Sequence, residues 1–145
     1  MTPDALAELH SAAFSKDRAW SADEFRTLID SPYCHLSTAP KGFALWRAVA
    51  GEAELLTIAT HPDHQRQGIA TKLMYQWMRS AQDHAGTAFL EVAADNAGAI
   101  ALYGDFGFET IARRPDYYAR TNTPVDALVM QAPLPFTDLK KSSGG

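Results

Sequence analysis

The sequence has a single cysteine, Cys34, so no disulfide can form within the chain, and nothing in its cysteine content argues for secretion. It lacks any apolar run near the ~20 residues that a membrane helix requires. Its opening, MTPDALAELH, lacks the basic segment and following apolar stretch of a secretory leader. By elimination these absences predict a cytoplasmic protein that does not enter a membrane. Basic charge is also scarce: 13 Lys and Arg against 17 Asp and Glu leave a formal charge of −4. A general nucleic-acid surface needs a basic face, so no nucleic-acid partner is expected. No Gly-Lys-Ser/Thr follows a glycine turn, which removes the nucleotide-hydrolysing P-loop. His61 and His64 form an HxxH, but beside Pro62 and without a partnering glutamate motif, so no metal site is expected.

What is present suits a globular domain. The chain has 145 residues, 46% hydrophobic and 21% charged, enough to bury a core without covalent staples. One domain is expected over residues 1–134, with residues 135–145, ending in KKSSGG, as a frayed tail. Leu6, Leu9, Ala13 and Phe14 recur at helical spacing after Pro3. Ser21 with Glu24 three residues on is a capping-box pattern opening a second helix. Gly42 to Val49 and Glu54 to Thr60 read as a hairpin, with the apolar run LLTIAT placed centrally and buried on both faces. A helical pattern follows from about Arg66 to Ala85, then a short strand from Thr87 to Val92. A second helical stretch runs from Asn96 to Phe106 before Gly107. Two late strands, Phe108 to Ala112 and Ala127 to Ala132, flank the polar segment YYARTNTP. This order predicts an α/β domain, a mixed central sheet flanked by helices.

The chemistry concentrates in residues 58–74, IATHPDHQRQGIATKLM. A strand stops at Pro62, a polar loop follows, and a helix opens near Gly68. Unpaired N–H groups at a helix N-terminus carry partial positive charge and hold phosphates. Gly68 and Ala70 keep the main chain approachable, and Arg66 can add a fixed cation. A glycine near a helix start is also a common bland feature, so this spacing is weak evidence by itself.

The wider pattern is specific. Gln65-Arg66-Gln67-Gly68-Ile69-Ala70 resembles the Gln/Arg-x-x-Gly-x-Gly/Ala signature of the GNAT acetyltransferases, in the strand–loop–helix context of that family. LEVAADNAGAIALYGDFGF, residues 90–108, is similar to the family's second block. Together the resemblance spans roughly residues 4–133. It implies the GNAT fold, acetyl-CoA as cosubstrate, and transfer of an acetyl group to an amine. A narrower resemblance, carried by Ala19-Trp20-Ser21, LEV before the Asn, and ARRPDYYAR at 112–120, is to the RimI type, the ribosomal-protein-alanine N-acetyltransferases. The family's first strand is absent from the pattern, since the chain opens on its first helix. Asp116-Tyr117-Tyr118-Ala119 stands where that type has Asn-Tyr-Tyr-Pro.

The resemblance also implies roles. The backbone of Ile58, Ala59 and Thr60 would lie along the pantetheine arm, and Arg66, Gln67, Gly68, Ile69, Ala70 and Thr71 would cradle the pyrophosphate. Asn96 would contact the cofactor arm. Glu91 interrupts the apolar strand AFLEV and is the candidate general base; the alternative is a strand-end carboxylate in an ion pair. Tyr103 shares a helix face with Asn96 and Ile100 and is the candidate general acid; the alternative is a ring packed with Phe106 and Phe108. Cys34 lies far from both blocks, which favours direct transfer in a ternary complex over a cysteine-borne acetyl group. Tyr117-Tyr118 could line a peptide groove or form an apolar lid. The acceptor implied is a protein N-terminal amine, a ribosomal protein being the RimI precedent. A small-molecule amine, or a CoA-binding module without catalysis, are the alternatives.

Overall fold

The computed structural model describes residues 1–14, 19–65, 67–120 and 123–136. Helix α1 (Pro3–Ala13) starts with Pro at its first position, where a missing N–H costs nothing, and Thr2 Oγ1 accepts the Ala5 N–H at 3.1 Å. Helix α2 (Ala22–Asp30) opens on the expected capping box. Ser21 Oγ accepts the Glu24 N–H at 3.2 Å, and Glu24 Oε1 accepts the Ser21 N–H at 3.1 Å.

Six strands follow: β1 (Cys34–Ala39), β2 (Gly42–Val49), β3 (Glu52–Thr60), β4 (Thr87–Ala93), β5 (Glu109–Tyr118) and β6 (Val125–Pro133). Helix α3 (Ile69–Ala81) crosses from β3 to β4, and α4 (Ala97–Asp105) from β4 to β5. The sheet order is β1-β2-β3-β4-β6-β5, with β3–β4 parallel and the other neighbours antiparallel. This is the expected mixed sheet, and among the described residues no strand precedes α1.

Two apolar clusters cover the two faces. On one, Trp46, Leu55, Leu73, Trp77, Leu90, Tyr103 and Phe106 pack the sheet against α3 and α4. On the other, Leu6, Leu9, Phe25, Phe43 and Leu45 pack it against α1 and α2. Trp46 and Trp77 are fully buried.

The structure corrects four details. CHLSTA, not expected as a strand, forms β1; it is a half-exposed edge strand whose mixed residues give little alternation to read. The last turn-like segment is shorter than expected, because β5 continues through ARRPDYY to Tyr118; an edge strand tolerates Pro115, which lacks the N–H a central strand would need. LLTIAT is central but not uniformly buried: Leu56 and Ile58 stay half-exposed. Helix α3 starts at Ile69 rather than near Arg66. Beyond the expected domain end, Phe136 stands 5.8 Å, ring to ring, from both Tyr75 and Phe106; residues 137–145 lie outside the described residues.

Gly42 seats the start of α3 on the sheet. A Cβ there would meet Ile69 Cγ2 at 2.7 Å, Leu73 Cδ1 at 3.1 Å and the Ala59 carbonyl at 3.2 Å. Gly42→Ala is therefore expected to destabilise the fold by roughly 1–3 kcal/mol through overpacking. The shift of the urea midpoint at unchanged slope measures it.

Candidate active site

The site begins with a flaw in the ladder. Between Leu45↔Thr57 and Trp46↔Leu55 the β2–β3 register slips, so Leu56 is an extra residue. A bulge of this kind breaks strict alternation and interrupts the ladder locally, and pairing with β2 continues from Leu45↔Thr57 to Gly42↔Thr60. Its effect on the side chains is visible: Leu55 packs toward α3 and α4, Leu56 toward α1 and α2, and Ile58 toward α3 again. The parallel β3–β4 ladder runs from Glu52↔Thr87 to Leu55↔Leu90, the residue just before the bulge. Beyond it β4 stays with β6 as far as Ala93↔Ala127. The two halves of the sheet thus part, and among the described residues one main-chain edge of β3 from Leu56 onward has no neighbouring strand.

A cavity of about 750 Å³ fills the opening. β3 contributes Leu55 to Ile58 and β4 contributes Leu90 to Ala93. Asn96 and Tyr103 come from the α4 side, His10, Phe14 and Trp20 from the α1 side, and Tyr117 to Arg120 from the end of β5. Leu90, Val92 and Tyr103 belong to the cluster under α3 and α4. Alternation therefore turns Glu91 to the opposite face. Glu91 and Tyr103 meet one cavity from two sides of the sheet.

Each group has a local cause. Tyr103 is 6% exposed with its ring 6.1 Å from that of Phe108. Burial, and secondarily Tyr118, push its phenol above the ordinary tyrosine range. Glu91 Oε1 lies 3.2 Å from Arg114 Nη2 of β5. Asn96 caps α4, its Oδ1 accepting the Ala99 N–H at 3.1 Å, so its NH2 is the part it can offer a ligand. Asp95 beside it holds Arg120 at 2.9 Å, tying the start of α4 to the end of β5.

The end of β5 is bent back over the cavity. The register slips between Arg114 and Tyr118, and Asp116 takes a left-handed φ of 54°. Asp126 of β6 holds this kink: its carboxylate accepts the Asp116 N–H at 2.9 Å and an Arg113 N–H at 2.6 Å. These bonds, the main-chain one first, lower its pKa from the ordinary carboxylate value. Asp126 is thus committed to contacts within the fold. Tyr117 and Tyr118 pack edge to face at 5.1 Å on the cavity rim.

Residues 4–108 match the Acetyltransferase (GNAT) family. The chain belongs to the GNAT acetyltransferases. It is 33% identical over 138 residues, 92% of this chain and 93% of the relative, to the [ribosomal protein bS18]-alanine N-acetyltransferase of Escherichia coli strain K12. It is 32% identical over 121 residues to the N-alpha-acetyltransferase RimI of Mycobacterium tuberculosis, covering 77% and 75% of the two chains. The crystal structure of the ribosomal-protein-S18-alanine N-acetyltransferase from Escherichia coli superposes with a TM-score of 0.83 at 30% identity, covering 91% of this chain and 87% of that one. The GNAT chain is an acetyl-CoA-dependent N-acetyltransferase.

The residues fit that cosubstrate. Gly68 precedes α3 with φ 80°, a left-handed conformation that favours glycine, and among the described residues, its chain neighbours aside, no atom lies within 4 Å of where its Cβ would stand. The first turn of α3 carries neither a side-chain cap nor an acid, whereas α1 and α2 have both. Its leading N–H groups, at Ile69, Ala70 and Thr71, are the ones a helix leaves unpaired and an anion satisfies.

Of the expected site residues, the structure brings Ile58, Glu91, Asn96 and Tyr103 to the cavity. Gln67, Gly68, Ala70 and Thr71 sit at the separate α3 turn, with Ile69 half-buried against the core beside them. The Ala59 side chain is buried toward α1 and α2, and the Thr60 carbonyl accepts from Gln65 Nε2 at 3.4 Å. Arg66 lies outside the described residues. Cys34 does not line the cavity, and His61 uses Nδ1 to accept the Asp63 N–H. Sequence reasoning missed Leu56-Thr57, Asp95, Arg114 and His10. Only His10 left a signal, a histidine on the apolar stripe of α1.

Asp126 yields a pH-dependent prediction. Because its folded pKa is depressed, its contribution to the kink is complete above the ordinary carboxylate value of ~3.9 and is lost as pH falls through the lowered one. The Asp116 amide proton, followed by NMR, should shift across that acid window in wild type. In Asp126→Asn it should not respond there.

Proposed function

We propose that this GNAT enzyme acetylates the N-terminal α-amine of a protein, a ribosomal protein starting with alanine being the first candidate, in the cytoplasm. Transfer is direct, within a ternary complex. The observation that carries the reading is the cavity at the parting of β3 and β4, reached by Glu91 from one face and Tyr103 from the other. The names and near-complete coverage of the Escherichia coli relatives support the acceptor class.

Acetyl-CoA supplies the acetyl group activated as a thioester. The turn that leads into α3 (Gln67 to Thr71) would hold the diphosphate, with Arg66 adding its charge, and the edge of β3 at Ile58, Ala59 and Thr60 would order the arm that follows, as an added strand does. Asn96 offers its NH2 to the same arm. Main-chain N–H groups near the Leu56 bulge are suited to polarise a carbonyl, because they are fixed in advance of reaction.

Glu91 receives the proton of the amine, directly or through one water. An α-amine with pKa ~7.7–8.0 is partly neutral at physiological pH, while a lysine at ~10.4 is almost wholly charged. A modest carboxylate base therefore suffices for an N-terminus. Arg114 at 3.2 Å keeps the carboxylate oriented along β4. Tyr103 keeps its proton across the working pH range, since burial raises its phenol further. It can donate a hydrogen bond to charge growing on sulfur, whose conjugate thiol resembles cysteine at ~8.5.

Two substitutions and one screen test this. Glu91→Gln is expected to lower kcat by roughly 10²-fold or more. Unchanged turnover would leave Glu91 a structural partner of Arg114. Tyr103→Phe should retain the melting temperature but lose roughly 10²-fold in kcat. Mass spectrometry with acetyl-CoA should find the label on the α-amine of an alanine-starting ribosomal peptide; preferential acetylation of free small amines would refute the acceptor class.

A further inference from the structure

His10 is 3% exposed and lines the cavity, yet acetyl transfer as derived above does not use it. It sits on α1 at the apolar stripe that also buries Leu6 and Leu9. Its ring stacks on Phe14 at 4.4 Å and on Trp20 at 5.1 Å, and meets Phe25 edge-on at 5.6 Å. A space-filling residue in such a box would be apolar, since burying a polar ring is costly unless it is bonded. His10 is bonded: Nδ1 accepts the main-chain N–H of Trp20 at 3.2 Å. An accepting Nδ1 carries no proton, so the neutral ring holds its proton on Nε2.

That bond joins the two ends of the α1–α2 connection. Phe14 is the C-cap of α1, and Trp20 directly precedes Ser21, the N-cap of α2. Both rings line the cavity on the face opposite α3 and α4. Without the tie the Trp20 N–H loses its His10 partner, and Trp20 is no longer hydrogen-bonded to α1.

We propose that His10 is a positioning residue for the acceptor: by clamping Trp20 and Phe14 it sets the apolar wall against which the first side chain of the acceptor rests. This rests on the proposed function, in which Glu91, turned to the α1–α2 face, receives the acceptor's proton. It assigns His10 no part in holding acetyl-CoA, whose anchoring turn lies on the other face.

The test compares His10→Asn, His10→Gln and His10→Phe in steady-state kinetics with an alanine-starting peptide, alongside calorimetric binding of CoA. Asn places Oδ1 near the position of Nδ1; Gln and Phe do not. His10→Phe and His10→Gln should raise the peptide KM by about five- to tenfold, the scale of one lost hydrogen bond, with a smaller change in kcat. His10→Asn should recover most of the loss, and CoA affinity should match wild type in all three. Equal peptide KM in every variant, no rescue by Asn, or a parallel loss of CoA affinity would overturn the role, as would a drop in kcat alone. Thermal melts accompany the series, and a His10→Asn protein as destabilised as His10→Phe would also count against it. Wild type is assayed first: failure to turn over the peptide would bring down the acceptor reading together with this one, whereas normal wild-type turnover with an unmoved His10→Phe KM removes only His10.

Discussion

The separation of β3 from β4 after Leu55↔Leu90 is the constraint from which the rest of the site follows. A sheet that stayed closed would bury the β3 edge in hydrogen bonds and leave no room between the layers. The extra residue Leu56 makes the separation possible, because it shifts the phase of β3 while its other edge remains bound to β2. The β4 half keeps its own integrity through the full-length ladder to β6. The gap is therefore held open by two intact half-sheets rather than by a flexible loop.

The opening joins two environments that the sheet otherwise keeps apart. The α3–α4 side has the uncapped helix start and the buried phenol; the α1–α2 side has an aromatic wall and faces the carboxylate. Across the rim, Glu91–Arg114 and Asp95–Arg120 pair the β4 arm with the β5 arm. Exposed pairs contribute about 0–1 kcal/mol, so the first of these contributes alignment more than stability. Arg120 is only 13% exposed and also lies 5.8 Å from the Tyr118 ring, so it fixes that tyrosine more firmly.

Much of this was legible in the order of residues because local rules and tertiary demands agreed there. Ser21 and Glu24 form their box wherever the helix packs, and Gly68 announces a left-handed turn before an amphipathic helix. Glu91 stood out as a charge within an apolar strand, and period-two alternation already gave it the opposite face from Leu90 and Val92. What failed to show was non-local. The bulge at Leu56 is a mismatch between two strands, and no single strand records it. Arg114 meets Glu91 only because β5 and β4 flank β6, a matter of sheet order. The strand character of CHLSTA and of ARRPDYY comes from an edge that accepts half-exposed residues and even a proline, where hydrophobic periodicity is silent.

The β5 edge of the sheet, opposite β1, has a further consequence. β5 closes the sheet and is exposed almost along its length, so its outward N–H and C=O groups could template the strand of another copy. Pro115 has no donor to give, Arg113 and Arg114 place like charges along the strand, and the left-handed Asp116 breaks its flatness. The kink that brings two tyrosines over the cavity thereby also guards the border of the sheet against runaway self-assembly.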